Sequence, residues 1–284
     1  MILIKPKFWD QKIGIYSLLL LPLTWIYLAL ISLKKIITKE KIFKIPIICV
    51  GNIYIGGTGK TPLSIMLAKE LLNLGLKPVI LRKYYKNHAD EYSLIKKYFK
   101  NLITEKTRIK GLEALDNNNF NIAILDDGLQ DFSFKKNIKI VCFNSNQKAG
   151  NGLVLPSGPL RERLDSLEKV DLVIINGNKD QNFEEKILKI NKDINIFYSS
   201  YKPININEFK NKDLLVVVGV GNPENFIKLI ETNELKIKKK LIYPDHHIFS
   251  KKEIEDIVET AEENDLDIIM TEKDYYKVKK FNLK

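Results

Sequence analysis

Residues 45–72 read IPIICVGNIYIGGTGKTPLSIMLAKELL, and this stretch decides the fold class. The apolar run at 45–50 predicts a buried strand of a parallel sheet. Over 62–72 the apolar residues recur at helical spacing. The turn between them is predicted to bind phosphate through Gly56, Gly57, Thr58, Gly59, Lys60 and Thr61. A strand, a glycine-rich loop and a helix in this order predict an α/β protein of the P-loop NTPase type with a mostly parallel sheet.

The chemistry of this loop follows from its composition. Its glycines let backbone N–H groups turn towards one point, and the positive end of the following helix aims at the same point. Lys60 would reach the β- and γ-phosphates of a nucleotide, and the hydroxyl of Thr61 would ligate Mg²⁺. Tyr54 stands where the strict G-x-x-x-x-G-K-[ST] pattern has its first glycine. The alternative is a glycine-rich turn with an exposed lysine.

The composition narrows the possible partners without choosing among them. The chain has 284 residues, and 46 Lys and Arg stand against 35 Asp and Glu, a formal net charge of +11. A basic surface suits nucleic acid, an anionic membrane or a phosphorylated substrate. Cys49 and Cys142 are the two cysteines, each within an apolar run. This favours reduced thiols in the core over a disulfide framework or a zinc site.

An uncharged segment near the N-terminus predicts a membrane-associated helix. Residues 13–33 read IGIYSLLLLPLTWIYLALISL, which is just long enough to cross about 30 Å of hydrocarbon. Pro22 would kink the middle of this helix. A cluster of lysines suited to an anionic cytoplasmic leaflet follows: Lys34, Lys35, Lys39, Lys41 and Lys44. We expect the helix to span the membrane or to lie in its interface, with a buried core helix as the alternative.

Pairs of acidic residues follow two of the predicted strands. Asp90 and Glu91 come in the loop after the strand at 76–81, and Asp126 and Asp127 follow the apolar strand that ends at Leu125. Ligands of open parallel sheets lie beyond the carboxyl ends of the strands. Because Mg²⁺ prefers carboxylates, water and phosphate oxygens, at least one residue of the second pair is predicted to be a metal ligand. A solvated loop and a bare Asp-Asp-Gly turn are the alternatives.

Two later segments contain candidate substrate contacts. The long polar loop at 150–162 includes Arg161, which could hold a phosphate bidentately or pair with a neighbouring acid. His246 lies in an Asp-His-His segment at 245–247 and is a candidate catalytic or substrate-contacting residue. A plain loop is the alternative for this segment.

Several motifs in a fixed order give the sequence its resemblance to a known family. DDGLQ at 126–130, GPLRE at 158–162, DHH at 245–247 and TEKD at 271–274 follow the GGTGKT loop. Over nearly its whole length the chain resembles the tetraacyldisaccharide 4′-kinases (lipid A 4′-kinases) of Gram-negative bacteria. The glycine-rich segment that precedes the acidic pair in that family reads LRKYY at 81–85 here, without either glycine.

This resemblance implies an enzyme, its cofactors and its location. The enzyme would transfer the γ-phosphate of ATP, with Mg²⁺, to the 4′-hydroxyl of a tetraacyldisaccharide 1-phosphate, giving lipid IVA. It would act at the cytoplasmic face of the bacterial inner membrane, attached through the N-terminal helix, with no nucleic acid and no obligate protein partner. The predicted parts are a membrane-associated helix and basic linker (1–44), a P-loop kinase domain (45–210) and a smaller C-terminal α/β domain (211–284).

On the nucleotide side, the resemblance implies that Lys60 and Thr61 hold phosphates and Mg²⁺, with Lys60 also acting in catalysis. Asp126 and Asp127 would belong to the metal site.

On the acceptor side, the resemblance implies that Asp90 and His246 together deprotonate the sugar hydroxyl. Glu91 would lie near the acceptor, and Arg161 would contact a phosphate or the substrate. Since Asp90 and His246 fall in different predicted domains, their cooperation would require these domains to close, with the connector at 199–212 as the hinge.

Two other classes of P-loop protein are alternatives. A membrane-associated partitioning-type ATPase, acting as a nucleotide-driven binding switch, usually carries a lysine just before the two glycines, where Ile55 stands here. A regulatory GTPase needs N-K-x-D to recognise guanine, whereas residues 178–181 read NKDQ.

Overall fold

The computed structural model describes residues 5–86, 88–115, 118–245 and 247–281. They form two compact units. The large unit contains Lys5–Tyr85 and Tyr98–Ser200, and the small unit is built from the described residues of Lys86–Lys97 and Tyr201–Lys284. The division into 1–44, 45–210 and 211–284 stays a prediction, and it does not foresee that Lys86–Lys97 belongs with the C-terminal residues.

The large unit is organised around one sheet. Its seven strands are β1 (Ile47–Gly51), β2 (Pro78–Lys83), β3 (Leu102–Glu105), β4 (Ile122–Asp126), β5 (Ile138–Asn144), β6 (Leu172–Asn176) and β7 (Asn195–Ser199). They lie in the order β3-β2-β4-β1-β5-β6-β7, and every neighbouring pair is parallel. β1 is buried along its whole length, as its continuous apolar sequence requires. The predicted α/β architecture with a mostly parallel sheet is confirmed.

The helices of the chain follow from short local signals. They are α1 (Ile15–Leu19), α2 (Leu21–Ile37), α3 (Lys60–Asn73), α4 (Ala89–Tyr98), α5 (Arg108–Glu113), α6 (Gln181–Ile190), α7 (Pro223–Thr232), α8 (Lys251–Glu263) and α9 (Glu272–Val278). Asp180, Ser250 and Thr271 cap α6, α8 and α9 by accepting a hydrogen bond from a backbone N–H of the first turn. α3 begins directly at Lys60, after the glycine-rich loop.

The N-terminal apolar segment forms two helices, where the sequence predicted one helix kinked in the middle. The break falls at Leu20, so that Pro22 lies in the first turn of α2. A proline is tolerated there because the first helical N–H groups have no partner within the helix. α2 is 17 residues long. No helix among the described residues is both long and apolar enough to cross a membrane.

The core confirms the prediction for the two cysteines. Cys49 and Cys142 are free and buried, on β1 and β5. Burial raises the pKa of each thiol to about 12, so both stay protonated at neutral pH.

The small unit has its own sheet and its own core. Its strands β8 (Asp213–Val218), β9 (Lys236–Ile242) and β10 (Asp267–Met270) lie in the order β10-β8-β9, and both pairs are parallel. One apolar cluster joins this sheet to α7 and another joins it to α8. β8 is the central strand and is buried almost throughout. Because β8 and β10 are parallel, the loops that follow these two strands lie at the same edge of the sheet.

Candidate active site

The loop between β1 and α3 has the geometry of a phosphate cradle. Gly56 and Gly59 adopt φ values of 115° and 90°, a region that glycine enters without steric cost. Lys60 opens α3, so the first N–H groups of that helix face the same loop. Thr58 is buried, and its hydroxyl has no hydrogen-bond partner among the residues that the structure describes. A backbone shaped in this way fits the phosphates of a nucleotide.

Tyr54 explains the departure of this loop from the strict phosphate-loop pattern. Its ring is fully buried in an apolar cluster with Val154 and Leu160, against which Tyr27 of α2 packs. Its hydroxyl donates a hydrogen bond to Asp10 Oδ1 at 2.6 Å. The segment before the glycines is therefore held by side-chain packing, where a glycine would leave a hole.

The donor set for a magnesium ion lies beside the loop. The hydroxyl of Thr61 donates to Asp126 Oδ2 at 2.9 Å, and Asp126, the last residue of β4, is only 1% exposed. A hydroxyl and a carboxylate next to a phosphate cradle are the protein groups that Mg²⁺ takes when phosphates and water supply its other ligands. The described residues contain no cluster of three or more His, Cys, Asp and Glu side chains suited to a metal. Thr61 and Asp126 thus fit a metal that has few protein ligands.

Asp126 has a basic partner that sequence reasoning missed. Arg82 Nη1 lies 3.2 Å from Asp126 Oδ2, and Arg82 is 6% exposed. The register explains the contact, because Leu81 of β2 pairs with Leu125 of β4, which brings the following residues together. The available signal was an arginine at the end of an otherwise apolar strand.

Asp127 joins the basic residues of the site. Its Oδ1 lies 3.1 Å from Nη1 of Arg161 and 3.9 Å from Nζ of Lys60. Burial raises the pKa of this carboxyl, but Lys60, Arg161 and Arg108 outweigh burial and lower the pKa below its usual value. Asp127 is therefore ionised at neutral pH and holds both cations near the phosphate loop. Its φ of 65° is uncommon for a residue other than glycine.

Gln130, for which no role was predicted, connects the acidic motif to the phosphate loop and to Arg161. Its Nε2 donates to the carbonyl of Asn52 at 3.1 Å and to Glu162 Oε1 at 2.8 Å. Its Oε1 accepts from Arg161 Nη1 at 3.3 Å. A cleft of about 280 Å³ opens here, lined by Lys34, Lys83, Tyr85, Arg108, Asp127, Gln130, Asp131 and Arg161. An anionic group would meet four cations in this cleft.

The two acids that are predicted to lie on the acceptor side belong to the small unit and lie on a helix, where the sequence predicted a loop. Asp90 and Glu91 occupy the first turn of α4, and Asp90 is buried. Lys277 Nζ of α9 lies 4.0 Å from Asp90 Oδ2, and Lys273 Nζ, one turn earlier, lies 3.1 Å from Glu91 Oε1. Burial lowers the pKa of Lys273, but Glu91 and Asp245 outweigh burial and raise the pKa above its usual value.

Lys273 also connects α4 to the histidine segment. Its Nζ lies 3.3 Å from Asp245 Oδ1, directly before His246. His246 itself lies outside the described residues. Asp90 and Asp245 belong to one unit, whereas the sequence placed Asp90 and His246 in different domains. The cooperation of Asp90 with His246 stays a prediction.

The structure thus separates the predicted residues into two groups. The large unit brings together the glycine-rich loop with Lys60, Thr61, Asp126, Asp127 and Arg161. The small unit contains Asp90 and Glu91.

The fold and the large-unit site define a P-loop α/β protein that binds phosphate groups and a divalent cation. The sequence profile of the family described as Tetraacyldisaccharide-1-P 4′-kinase (LpxK) matches residues 16–284. The chain belongs to this family, which confirms the resemblance and identifies a kinase.

Relatives over the full length agree with this assignment. A protein of Pelagibacter ubique (strain HTCC1062) named Tetraacyldisaccharide 4′-kinase is 44% identical over 282 residues, covering 98% of this chain and 89% of that protein. A protein of the same name from Francisella tularensis subsp. novicida (strain U112) is 30% identical over 311 residues, covering 97% and 94%.

A solved structure confirms the fold. The crystal structure of the "apo" form of LpxK from Aquifex aeolicus in complex with ATP matches with a TM-score of 0.66 at 21% identity, covering 93% of this chain and 90% of that chain.

Proposed function

We propose that this chain transfers the γ-phosphate of ATP to the 4′-hydroxyl of a tetraacyldisaccharide 1-phosphate, giving lipid IVA. The observation that carries the proposal is the contact of the Thr61 hydroxyl with Asp126 beside the phosphate loop, at 2.9 Å, in a member of this kinase family. The test is incubation with ATP labelled at the γ-phosphate and the lipid acceptor, followed by identification of the labelled product.

The nucleotide side of the proposal uses the large unit. Gly56, Gly57, Thr58 and Gly59 would surround the phosphates with backbone N–H groups, and Lys60 would neutralise charge that develops on the transferring group. Thr61 and Asp126 would hold Mg²⁺, with Asp127 as a further ligand directly or through water. When bound, Mg²⁺ supplies positive charge to the phosphate oxygens. Arg161, which Asp127 and Gln130 hold in place, would contact a phosphate of the nucleotide or of the acceptor.

The acceptor side uses the small unit. A sugar hydroxyl is a weak nucleophile, so a base within hydrogen-bond reach must take its proton as the new bond forms. We assign this task to Asp90 and His246 acting together, with Glu91 near the acceptor. Lys273 of α9 pairs with Glu91 at 3.1 Å, and Lys277 places a second positive charge 4.0 Å from Asp90, so both acids lie beside cations before substrate binds.

Single and double alanine variants test the cooperation of Asp90 with His246. Each single variant should lose most turnover, by roughly 10²–10⁴-fold, while ATP binding survives. The double variant should lose little more than the worse single variant, because residues that act as a unit are not additive. The measurements are kcat for the lipid acceptor and the Kd of ATP. Losses that multiply in the double variant would show that the two residues act separately.

A nucleotide-driven binding switch is the remaining alternative, and it differs from a kinase in the fate of the phosphate. A switch hydrolyses ATP to free phosphate and needs no lipid acceptor, whereas the proposed kinase delivers the label to the lipid. Free phosphate as the main product in the presence of acceptor would favour the switch.

The proposed location is the cytoplasmic face of the inner membrane, with α1 and α2 lying in the interface. Their large apolar side chains are exposed to an unusual degree, among them Leu19, Leu23, Trp25, Ile26, Leu30 and Ile36. Lysines follow at the end of α2, where they would meet anionic headgroups. The proposed partners are this membrane surface and the lipid disaccharide, with no nucleic acid and no obligate protein partner.

Charge placed on this apolar face should weaken membrane binding. Trp25→Glu and Leu30→Glu should each lower co-sedimentation with anionic phospholipid vesicles, since each change removes a large apolar side chain, whose burial is worth about 2 kcal/mol, and adds a carboxylate that anionic headgroups repel. Leu74→Glu, at an exposed apolar position just after α3, is the matched control and should bind vesicles like the wild type. Equal binding by all the variants would contradict the interfacial placement.

A further inference from the structure

Helix α2 has a second face, which is polar, buried and bound to the loop that ends at Arg161. Thr24 is 4% exposed, and its hydroxyl lies 2.8 Å from the Ser157 hydroxyl and 3.2 Å from the carbonyl of Val154. The backbone N–H of Ser157 donates to Thr24 Oγ1 at 3.2 Å. Thr24 therefore anchors the loop to α2 at Val154 and Ser157.

One turn further along α2, Tyr27 reaches the catalytic end of the same loop. Its hydroxyl donates to the backbone carbonyl of Arg161 at 3.2 Å. On the other side, the N–H of Arg161 donates to the carbonyl of Ile53 at 2.6 Å, in the segment that leads into the phosphate loop. The backbone of Arg161 is therefore held between α2 and the phosphate loop, while its side chain reaches Asp127 and Gln130.

Residues before α2 bind the same loop. Asn151 Nδ2 donates to the Ser17 hydroxyl at 3.2 Å and to the carbonyl of Ser157 at 2.9 Å. Trp9 Nε1 donates to the carbonyl of Pro156 at 3.0 Å. These hydrogen bonds connect the N-terminal segment to the loop at several points, so that a movement of the segment would also move the loop.

A helix that only held the protein on the membrane would not need these groups. Burying a hydroxyl costs free energy unless it is hydrogen-bonded, and here each buried hydroxyl has a partner in the loop. Ser17, Thr24 and Tyr27 face the loop, while Trp25, Ile26 and Leu30 are exposed. Lys34, further along α2, lines the same cleft as Arg161 and Asp127.

We propose that Thr24 and Tyr27 are positioning residues for phosphoryl transfer, because they fix the loop that places Arg161 against Asp127. The inference rests on the proposed kinase function and adds to it a structural role for the membrane-facing helix in the active site. A small displacement of a substrate-contacting group is costly, since catalysis of this kind is mostly positioning.

The test compares single variants of α2 in the lipid kinase assay. Thr24→Val keeps the shape but removes the hydroxyl, and it should lower kcat for the lipid acceptor roughly tenfold with the KM of ATP within about twofold of the wild type. Thr24→Ser keeps the hydroxyl and should restore activity. Thr38→Val is the matched control, because within the described part of the chain the hydroxyl of Thr38 donates to the carbonyl of Lys34, in the last turn of its own helix. Tyr27→Phe should lower kcat in the same direction as Thr24→Val.

A double-mutant cycle then asks whether the effect passes through Arg161. In an Arg161→Ala background, Thr24→Val should change kcat by less than about twofold. A full tenfold loss in that background would overturn the inference, as would a Thr24→Val variant that matches Thr38→Val. The same would follow if Thr24→Ser failed to restore activity, or if vesicle binding fell in proportion to kcat. A wild-type chain that gave no lipid product would instead overturn the proposed function.

Discussion

Lys60→Ala is expected to lower kcat by roughly 10²–10³-fold, because one preorganised charge at the transferring group is typically worth that much. Lys60 opens α3 at the phosphate loop, and its ammonium group lies 3.9 Å from Asp127 Oδ1. Truncation therefore removes a charge from the loop and leaves Asp127 with Arg161 as its close partner. Turnover of labelled ATP onto the lipid acceptor is the measurement.

Lys69→Ala is the matched control for this variant. Lys69 lies on the same helix, is exposed and lies over the ring of Tyr98. Its loss should leave kcat within about twofold of the wild type, as is usual for a surface position. Near-normal turnover by the Lys60 variant would refute the phosphate-loop assignment.

Asp126→Asn is expected to have two effects, one on activity and one on stability. Without the carboxylate, Mg²⁺ would lose the ligand proposed beside Thr61, and kcat at ordinary Mg²⁺ concentrations should fall by more than about 10²-fold. The buried guanidinium of Arg82, 3.2 Å away, loses a counter-charge at the same time. Breaking such a buried pair costs about 3 kcal/mol of unfolding free energy. A Mg²⁺ titration of turnover and a urea denaturation curve measure the two effects.

The Asp127→Asn variant distinguishes the effect on activity from the effect on stability, because the side chain of Asp127 is more exposed to solvent than that of Asp126. The side chains of Asp127 and Arg161 are 29% and 25% exposed, so the loss of their pair should cost less than about 1 kcal/mol of stability. Turnover should still fall, since Lys60 and Arg161 lose the carboxylate that both approach. An unchanged Mg²⁺ titration in both aspartate variants would indicate a bare turn at the end of β4.

The central strands could be predicted from the sequence, whereas of the edge strands of the two described sheets only β10 could. β1, β4, β5 and β8 are buried and read as apolar runs. β3, β7 and β9 lie at sheet edges and were not predicted. Lys236–Ile242 reads KIKKKLI, and most of its side chains are exposed. An edge strand has solvent on one side, so its sequence need not be apolar, and lysines there discourage pairing with other chains.

The residues of the site were likewise predicted only where the local sequence marks them. Residues that are adjacent in sequence and follow a known spacing could be predicted: the glycines of the phosphate loop, Lys60, Thr61 and the Asp126–Asp127 pair. Arg82 and Gln130 act through contacts with distant segments, and their positions in the LRKYY and DDGLQ segments do not reveal those partners. The buried face of α2 was missed for another reason. Ser17, Thr24 and Tyr27 are polar residues within an apolar run, and such residues also occur in helices that lie in a membrane interface.

The small unit is assembled from two pieces of chain that lie far apart, and this has a consequence for synthesis. Asp90 and Glu91 are synthesised early, whereas Lys273, which pairs with Glu91, and Lys277, which lies 4.0 Å from Asp90, come more than 180 residues later. During translation, about 180 residues are synthesised between α4 and the lysines of α9. The docking of α4 on α9 is therefore a late, long-range step of folding. The acids proposed to activate the acceptor therefore gain the contacts of α9 only after α9 itself has been synthesised.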